Sequence, residues 1–245
     1  MRLNKYLASS TSLSRRGADA AIDVGRVTVD GKTAVKGTEV KSSSQVKLDG
    51  RPVYPPSTHT TIALNKPIGY VCSRNGQGSP TVYDLLPSRY HSLQTIGRLD
   101  KDSSGILLLS DDGDLAHMLS HPRFAKIKIY EVTLDQPLAP LHQQMICDHG
   151  ITLDDGKSQF LITRVEPDAM ISGINVKSVP HNASAKVAQV IKTSPAYQVQ
   201  MQEGRNRQIR RTFSALGYTV TTLHRTHFGP YTLGGLPFGQ WKKVA

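Results

Sequence analysis

The sequence of 245 residues contains few cysteines, few acidic residues and no long apolar run. Two cysteines, Cys72 and Cys147, are too few for a disulfide framework or for a zinc site built from cysteine. No stretch approaches the roughly 20 consecutive apolar residues of a membrane span, so we expect no membrane association. The N-terminus lacks the apolar core and the cleavage site of a signal peptide and is interpreted as mature protein. These absences exclude a secreted disulfide scaffold, a membrane protein and a cysteine-built metal module, and they favour the cytoplasm.

Basic residues outnumber acidic ones by a wide margin. Thirty Lys and Arg oppose 19 Asp and Glu, which gives a formal charge of +11 and an isoelectric point near 9.7. Such a charge does not select a fold, but it makes a polyanion the first candidate for a partner. Hydrophobic residues amount to 38% of the chain, which is low yet sufficient for a globular protein.

Residues 1–51 show the pattern of a small domain. Leu3 and Leu7 lie one helical turn apart, and Ser14 is placed as the N-cap of a second helix that Gly25 ends. The sequence then alternates as in a β-strand up to Asp30-Gly31, a two-residue hairpin signal. The pattern therefore predicts two helices followed by a small sheet rich in hairpins.

This segment carries about half of the excess charge, with ten Lys and Arg against five Asp and Glu. Arg15 and Arg16 lie at the predicted start of the second helix, where cations oppose the helix dipole. A bound phosphate would relieve that conflict, so both arginines are candidate phosphate contacts. The alternative is a solvated surface that keeps the protein soluble.

Residues 52–60 contain three prolines and little apolar character, and we interpret them as a linker. Beyond the linker, residues 61–245 show many short strands and few helices, without an internal repeat. This segment is predicted to be a second domain of the α+β class, with a mixed, mainly antiparallel sheet.

Two segments of this second domain could supply a reactive group and a base-binding surface. Residues 97–105 form a turn rich in Gly, Ser and Asp before a buried strand, which could hold Asp100 or Asp102 at the edge of the core. The alternative is a carboxylate that merely caps the turn. In a later predicted strand, residues 125–134, alternation places Lys128 and Tyr130 on one face, where a nucleobase could stack. An ordinary half-buried tyrosine explains the same pattern.

A third segment, residues 203–217, places four arginines at a junction between a strand and a helix. Arginine suits bidentate binding of phosphate or carboxylate. Four like charges within seven residues repel one another unless an anionic group neutralises them, which argues against a simple solvated face. The four are Arg205, Arg207, Arg210 and Arg211.

Taken in order, these segments resemble the motifs of bacterial ribosomal RNA pseudouridine synthases. GRLDKDSSGILLLSDDG resembles the aspartate motif of that family, KIYEV its tyrosine motif and EGRNRQIRR its arginine-rich motif. LNKPIGYV and LGGLPFGQW fit as well, and the N-terminal unit resembles the S-four type RNA-binding domain. The sequence departs from the family at Thr212, where an apolar residue is usual, and at Thr95-Ile96, which replaces Pro-Val.

The resemblance implies an α+β pseudouridine synthase domain, flanked by helices, that isomerises uridine in RNA without a cofactor or a metal. By analogy Asp100 is the catalytic carboxylate, and Tyr130 stacks on the target base and is a candidate for proton transfer. An ionised carboxylate in a water-excluding pocket needs a neighbouring cation. The family position after Gln-Ile makes Arg210 the first choice for this cation, and Arg207 the second.

The resemblance also implies RNA contacts. The target uridine is flipped out of its stack at a cost of a few kcal/mol. Arg98 and the cluster around Arg205 would hold the flanking backbone and occupy the vacated space. The remaining candidate contacts with RNA are Arg15, Arg16, Lys66, Lys128 and Arg207.

The partner implied is ribosomal RNA, presented as a loop or single strand in an assembling subunit. The sequence GRNRQIRR resembles the large-subunit members of the family more than the small-subunit members, which favours 23S over 16S rRNA. We expect a monomer without a nucleotide cofactor. Three alternatives remain open at this point: a non-catalytic ribosome-assembly factor, a DNA-binding regulator, and a metal-dependent nuclease that uses the aspartates near Asp100.

Overall fold

The structure is a computed structural model that describes residues 1–165 and 195–244. The chain divides into two compact units. Unit 1 contains residues 1–60 and 111–113, and unit 2 contains residues 61–110 together with the described residues from 114 onward. No helix among the described residues is long and apolar enough to cross a membrane.

Unit 1 consists of two helices and a small sheet, as the sequence predicts. Ser14 accepts a hydrogen bond from the backbone N–H of Gly17 at 3.0 Å and so caps the second helix. Asp30 and Gly31 both have positive φ angles, 51° and 79°, as a type I′ hairpin turn requires. The elements are α1 Leu3–Ser10, α2 Arg15–Asp23, β1 Val27–Val29, β2 Lys32–Thr33, β3 Val46–Leu48 and β4 Arg51–Pro52.

The sheet of unit 1 has the strand order β2-β1-β3-β4, and its neighbouring strands are antiparallel. Pro52, which we expected to begin the linker, is the last residue of β4. The apolar face of the two helices packs on this sheet, with Leu3 and Leu7 of α1 fully buried.

Unit 2 is built around one large sheet. The described strands of unit 2, including those of a separate hairpin, are β5 Thr61–Lys66, β6 Gln94–Ile96, β7 Ser104–Ser110, β8 Lys128–Leu134, β9 Ile151–Leu153, β10 Gly156–Ser158, β11 Leu161–Val165, β12 Ala196–Met201, β13 Val220–Phe228, β14 Tyr231–Thr232 and β15 Trp241–Val244. The helices in this part of the chain are α3 Gly113–Ser120, α4 Pro140–Gln144 and α5 Gln208–Ser214. Short 3₁₀ turns cover Val82–Leu85, Ser88–Tyr90 and Pro122–Phe124, and a π turn covers Met145–His149.

The large sheet has the order β11-β12-β8-β13-β7-β5-β15, with β14 paired to β13 and β6 paired to β7. The pairing of β13 with β7 is parallel, and the other pairings between its described strands are antiparallel. β9 and β10 form a separate hairpin. The predicted α+β class with a mixed, mainly antiparallel sheet is therefore confirmed.

Apolar side chains cover both faces of the centre of the sheet. In β7, Leu107 and Leu109 belong to one apolar cluster, whereas Ile106 and Leu108 belong to another. A strand covered on both faces has no need of alternating polar residues, which explains the continuous apolar run Ile-Leu-Leu-Leu. This central strand directly follows the segment that contains Asp100.

Candidate active site

The loop between β6 and β7, residues 97–103, carries Asp100 and is fixed mainly by contacts with its backbone. The Lys66 ammonium donates to the carbonyl oxygens of Asp100 at 3.0 Å and Ser103 at 2.7 Å. The Gly69 N–H donates to the Lys101 carbonyl at 2.7 Å. Cys72 Sγ lies 3.3 Å from the carbonyl oxygen of Leu99. The segment after β5 therefore holds this loop at the end of the sheet.

Lys66, which we expected to contact RNA, is buried instead. Its side chain is fully buried, and its ammonium donates to a third carbonyl oxygen, that of Pro67, at 3.0 Å. Burial lowers the pKa of Lys66 to about 8, and the nearby Asp100 and Asp102 oppose that shift. A fully buried ammonium cannot lie against RNA, so Lys66 is a positioning residue for the Asp100 loop.

A row of four residues crosses the sheet beside this loop. Lys66 is paired with Gly105, Gly105 with Arg225, and Arg225 with Tyr130. A Cβ atom on Gly105 would collide with the backbone of Arg225, and its φ of 111° also favours glycine. Glycine at this position thus permits the close parallel pairing that brings Tyr130 to the same end of the sheet as Asp100.

Arg207 rather than Arg210 is the arginine closest to Asp100. The Arg207 guanidinium lies 3.6 Å from the Asp100 carboxylate and binds both oxygens of Asp102, at 2.9 and 2.8 Å. Arg210 instead donates to the carbonyl oxygens of Asp102 and Val220, each at 2.8 Å, and its Nε lies 3.4 Å from the Asp102 carboxylate. Arg207, the second choice for the cation beside Asp100, therefore lies closer to that carboxylate than Arg210, the first choice. The reason is that α5 directs Arg210 toward the backbone of the loop.

Arg207 also has an unusual backbone. It precedes α5 with φ 46° and ψ 30°, in the left-handed region where a non-glycine residue costs of order 1 kcal/mol or more. Its two bonds to Asp102 hold the guanidinium in place, and this contact lowers the pKa of Asp102 and raises that of Arg207. The fold accepts strain at this position and keeps the side chain beside Asp100.

The other two arginines of the cluster are neutralised within the chain. Arg205 donates to the Asp155 carboxylate at 2.8 Å and to its carbonyl oxygen at 2.9 Å, and Arg211 donates to the same carboxylate at 2.6 Å. Asp155 lies in the turn between β9 and β10. The buried Thr212, which departs from the family pattern, bonds Ser158 of β10 at 2.7 Å. These contacts attach the β9–β10 hairpin to α5.

A cavity of about 670 Å³ lies in unit 2, a size common among ligand sites. Its walls bring together most of the residues selected from the sequence. Those lining it are Arg98, Asp100, Lys128, Tyr130, Arg205 and Arg207. Tyr130 is 7% exposed and Arg98 is exposed, which suits a buried base-binding surface and a rim contact respectively.

A further, buried cation in the wall of the cavity, Arg225, was not predicted from the sequence. Its side chain is 2% exposed, donates to the Ile106 carbonyl at 3.0 and 2.8 Å, and lies over the Phe228 ring at 4.7 Å. Lys128 lies over the same ring at 5.6 Å and donates to the Gln202 carbonyl at 2.9 Å. Burial, together with Arg225, lowers the pKa of Lys128 to about 8. An arginine in an alternating strand gives no sequence signal that its side chain will be buried in the wall of a cavity.

Arg15 and Arg16 lie in unit 1, at the first two positions of α2, and both are exposed. No acidic residue lies in the first turn of that helix. The expected placement of two cations at a helix start is confirmed, while their contact with RNA stays a prediction. Among residues 1–165 and 195–244, no three His, Cys, Asp or Glu side chains converge to hold a metal ion.

Comparisons with known proteins agree with these observations. Residues 60–215 match the family model of RNA pseudouridylate synthase, and residues 1–46 match that of the S4 domain. A relative from Salmonella typhi, named dual-specificity RNA pseudouridine synthase RluF, is 32% identical over 246 residues, which are 99% of this chain and 75% of the relative. A relative from Yersinia pestis, named ribosomal large subunit pseudouridine synthase B, is 32% identical over 257 residues, 99% of this chain and 72% of the relative.

A crystal structure of a pseudouridylate synthase has a similar fold. It matches with a TM-score of 0.63 at 24% identity and covers all of this chain and 96% of the other. The resemblance inferred from the three motifs is confirmed by the family match over more than half of the chain. The chain belongs to the RNA pseudouridylate synthase family and carries an S4 domain at its N-terminus.

Proposed function

We propose that this enzyme isomerises one specific uridine of ribosomal RNA to pseudouridine and that Asp100 is its catalytic carboxylate. The observation that carries the proposal is the shared cavity of Asp100 and Tyr130, with the Arg207 guanidinium 3.6 Å from the Asp100 carboxylate. A carboxylate beside a buried aromatic ring and a fixed cation suits chemistry on a flat, uncharged base.

In the reaction, the bond between the ribose and nitrogen 1 of uracil breaks, and a bond from the ribose to carbon 5 forms. The product contains the atoms of the substrate, so the proton on carbon 5 is transferred to nitrogen 1 and no oxidant is required. The Asp100 carboxylate either bonds transiently to the nucleotide and is released as the bond to carbon 5 forms, or takes a proton from the ribose and returns it in the same turnover. Tyr130 supports the uracil ring and is a candidate for the proton transfer.

The cations of the cavity hold the RNA. A uridine must leave its stack to reach Asp100, at a cost of a few kcal/mol. Exposed Arg98 and half-buried Lys128 contact the flanking phosphates and offset that cost. Arg205 and Arg207 have protein partners, so we assign them to shaping the wall, with an RNA contact only through their exposed edges.

The N-terminal domain, with Arg15 and Arg16 at the exposed start of α2, acts as a separate RNA anchor, joined to the catalytic domain by the linker that follows β4. The names of the relatives support ribosomal RNA as substrate, and one of them names the large subunit. We therefore propose 23S rRNA first and 16S rRNA second, acted on by a monomer in the cytoplasm while the subunit assembles.

The test is pseudouridine mapping of 23S and 16S rRNA from cells that lack this protein, with and without the wild-type chain returned. Loss of a single site, restored by the wild-type chain, supports the proposal and identifies the substrate. If every site persists in cells that lack the protein, ribosomal RNA is not the substrate, and a role in binding without catalysis on these RNAs takes its place.

A further inference from the structure

Four side chains form a cluster at the rim of the cavity, and the proposed chemistry gives them no role. The His117 and His121 rings lie 4.8 Å apart, and the Phe124 ring lies 5.7 Å from the first and 6.3 Å from the second, all edge to face. The Arg123 guanidinium lies over the Phe124 ring at 4.5 Å. We call His117, His121, Arg123 and Phe124 the rim cluster.

The local sequence explains why these rings meet. His117 lies in the last turn of α3, and His121, four residues on, directly follows the helix and donates its N–H to the His117 carbonyl at 3.0 Å, so both side chains lie on the same side. Pro122 then begins a 3₁₀ turn, and its backbone brings Phe124 back beside the histidines. Ala125, with a φ of 44°, ends the turn and directs the chain toward β8, the strand of Tyr130.

The rim cluster is exposed and continuous with the cavity. Phe124 is 36% exposed, and its apolar neighbours in sequence, Met118 and Ile127, are 41% and 40% exposed. His121 lines the same cavity as Asp100 and Tyr130. Leu119 is buried beneath this segment, so the core is closed without the exposed rings. His117 bonds the Arg123 guanidinium within the cluster at 3.3 Å, so a ligand would contact the exposed rings of His121 and Phe124.

We propose that the rim cluster stacks against an unpaired nucleobase that neighbours the target uridine in the RNA. The proposal rests on the proposed function, because it takes RNA as the occupant of the cavity. Aromatic faces and guanidinium planes bind bases of any identity, and Arg123 and Lys126 supply charge for the adjoining phosphate. The cluster is a specificity element, since it selects RNA whose target uridine has an unpaired neighbour.

Binding of two matched probes separates stacking from charge. The first is a fluorescent decauridylate, and the second is a decamer with one uridine between abasic riboses. Both carry the same phosphates and at least one uridine for the cavity. Affinities are measured by anisotropy with the full chain carrying Asp100→Asn, so that the probes are not converted. Phe124→Ala and His121→Ala are compared with Ile127→Ala, which removes exposed apolar area but no ring.

We expect the parent chain to bind decauridylate roughly fivefold or more tightly than the abasic decamer. Phe124→Ala and His121→Ala should remove that preference, whereas Ile127→Ala should keep it. Unfolding midpoints should stay unchanged in Phe124→Ala and Ile127→Ala, while His121→Ala also loses the bond from the Arg123 N–H that caps the turn. A preference that persists in the ring variants, or a parent chain without one, would overturn the proposal. These binding outcomes do not depend on isomerisation. Failure of the proposed function would appear as an unchanged pseudouridine map of rRNA, whereas failure of the stacking proposal would appear only in the probe affinities.

Discussion

Arg207 and Arg210 share Asp102, whereas Arg205 and Arg211 share Asp155. The four arginines come from one short stretch of sequence, yet the two carboxylates lie in different parts of unit 2. Asp102 belongs to the loop of Asp100, and Asp155 belongs to the turn of the β9–β10 hairpin. The first pair of arginines therefore orients the loop that carries the proposed catalytic residue. The second pair attaches the β9–β10 hairpin, which lines the cavity, to α5.

The comparison shows how a basic motif in an RNA-binding protein can be largely occupied by its own carboxylates. Bidentate contacts such as those of Arg207 with Asp102 fix the direction of a side chain as well as its charge. We propose that phosphate is bound instead by other cations of the cavity, Arg98 and Lys128. A cluster of arginines in the sequence therefore does not by itself show which of them bind RNA.

The largest difference between the two pairs should appear in turnover. We expect Arg207→Gly to lower the single-turnover rate about 100-fold, because Asp100 loses its neighbouring cation and the loop loses a bidentate anchor. Glycine also relieves the left-handed backbone, so stability should not fall. Asp155→Asn is the matched change in the other pair and should stay within a few-fold of wild type. Equal losses in the two variants would contradict the division of roles.

A smaller effect should separate the lysine of the cavity from the arginines. Because the pKa of Lys128 is lowered to about 8, its charge is present below pH 8 and is lost as the pH rises to 9. RNA affinity should therefore fall between pH 7 and 9, by up to about tenfold, since a phosphate contact requires the charged form. Titrating the dissociation constant against pH tests this expectation.

Lys128→Arg is the control for that titration, because arginine keeps its charge throughout this range. Lys66, whose pKa is also about 8, is unchanged in the control. The difference between the two titrations therefore belongs to Lys128. An identical decline in Lys128→Arg would assign the pH dependence to another group.

The smallest effect concerns the hairpin itself. Asp155→Asn removes the carboxylate that Arg205 and Arg211 share, and these contacts are exposed to solvent. We expect amide hydrogen exchange in residues 151–158 to rise a few-fold, with no change in residues 97–103. Asp102→Asn should give the reverse pattern. Faster exchange in both segments from either substitution would mean that the two pairs act as one unit.

Local sequence signals predicted the elements well. The cap at Ser14 and the turn at Asp30-Gly31 depend on neighbouring residues, and the structure contains both. The three motifs also led to residues that share one cavity, including Asp100 and Tyr130. The family match then confirmed the resemblance on which those roles depend.

Contacts between distant segments could not be predicted in the same way. Arg207 and Asp102 are 105 positions apart, and which of two arginines reaches a carboxylate depends on the direction of α5. Lys66 resembles any lysine at the end of a strand until the loop of residues 97–103 accepts its ammonium. Asp155 lies in a turn that many sequences would form. Charge patterns give the number of cations but not their partners.

We propose that Asp100 performs the chemistry and is not needed to bind RNA. A single-turnover assay on the mapped RNA compares wild type with Asp100→Asn, with affinity measured on the same preparation. We expect no detectable pseudouridine from Asp100→Asn and a dissociation constant within a few-fold of wild type. An Asp100→Asn chain that isomerises uridine at the wild-type rate would contradict it.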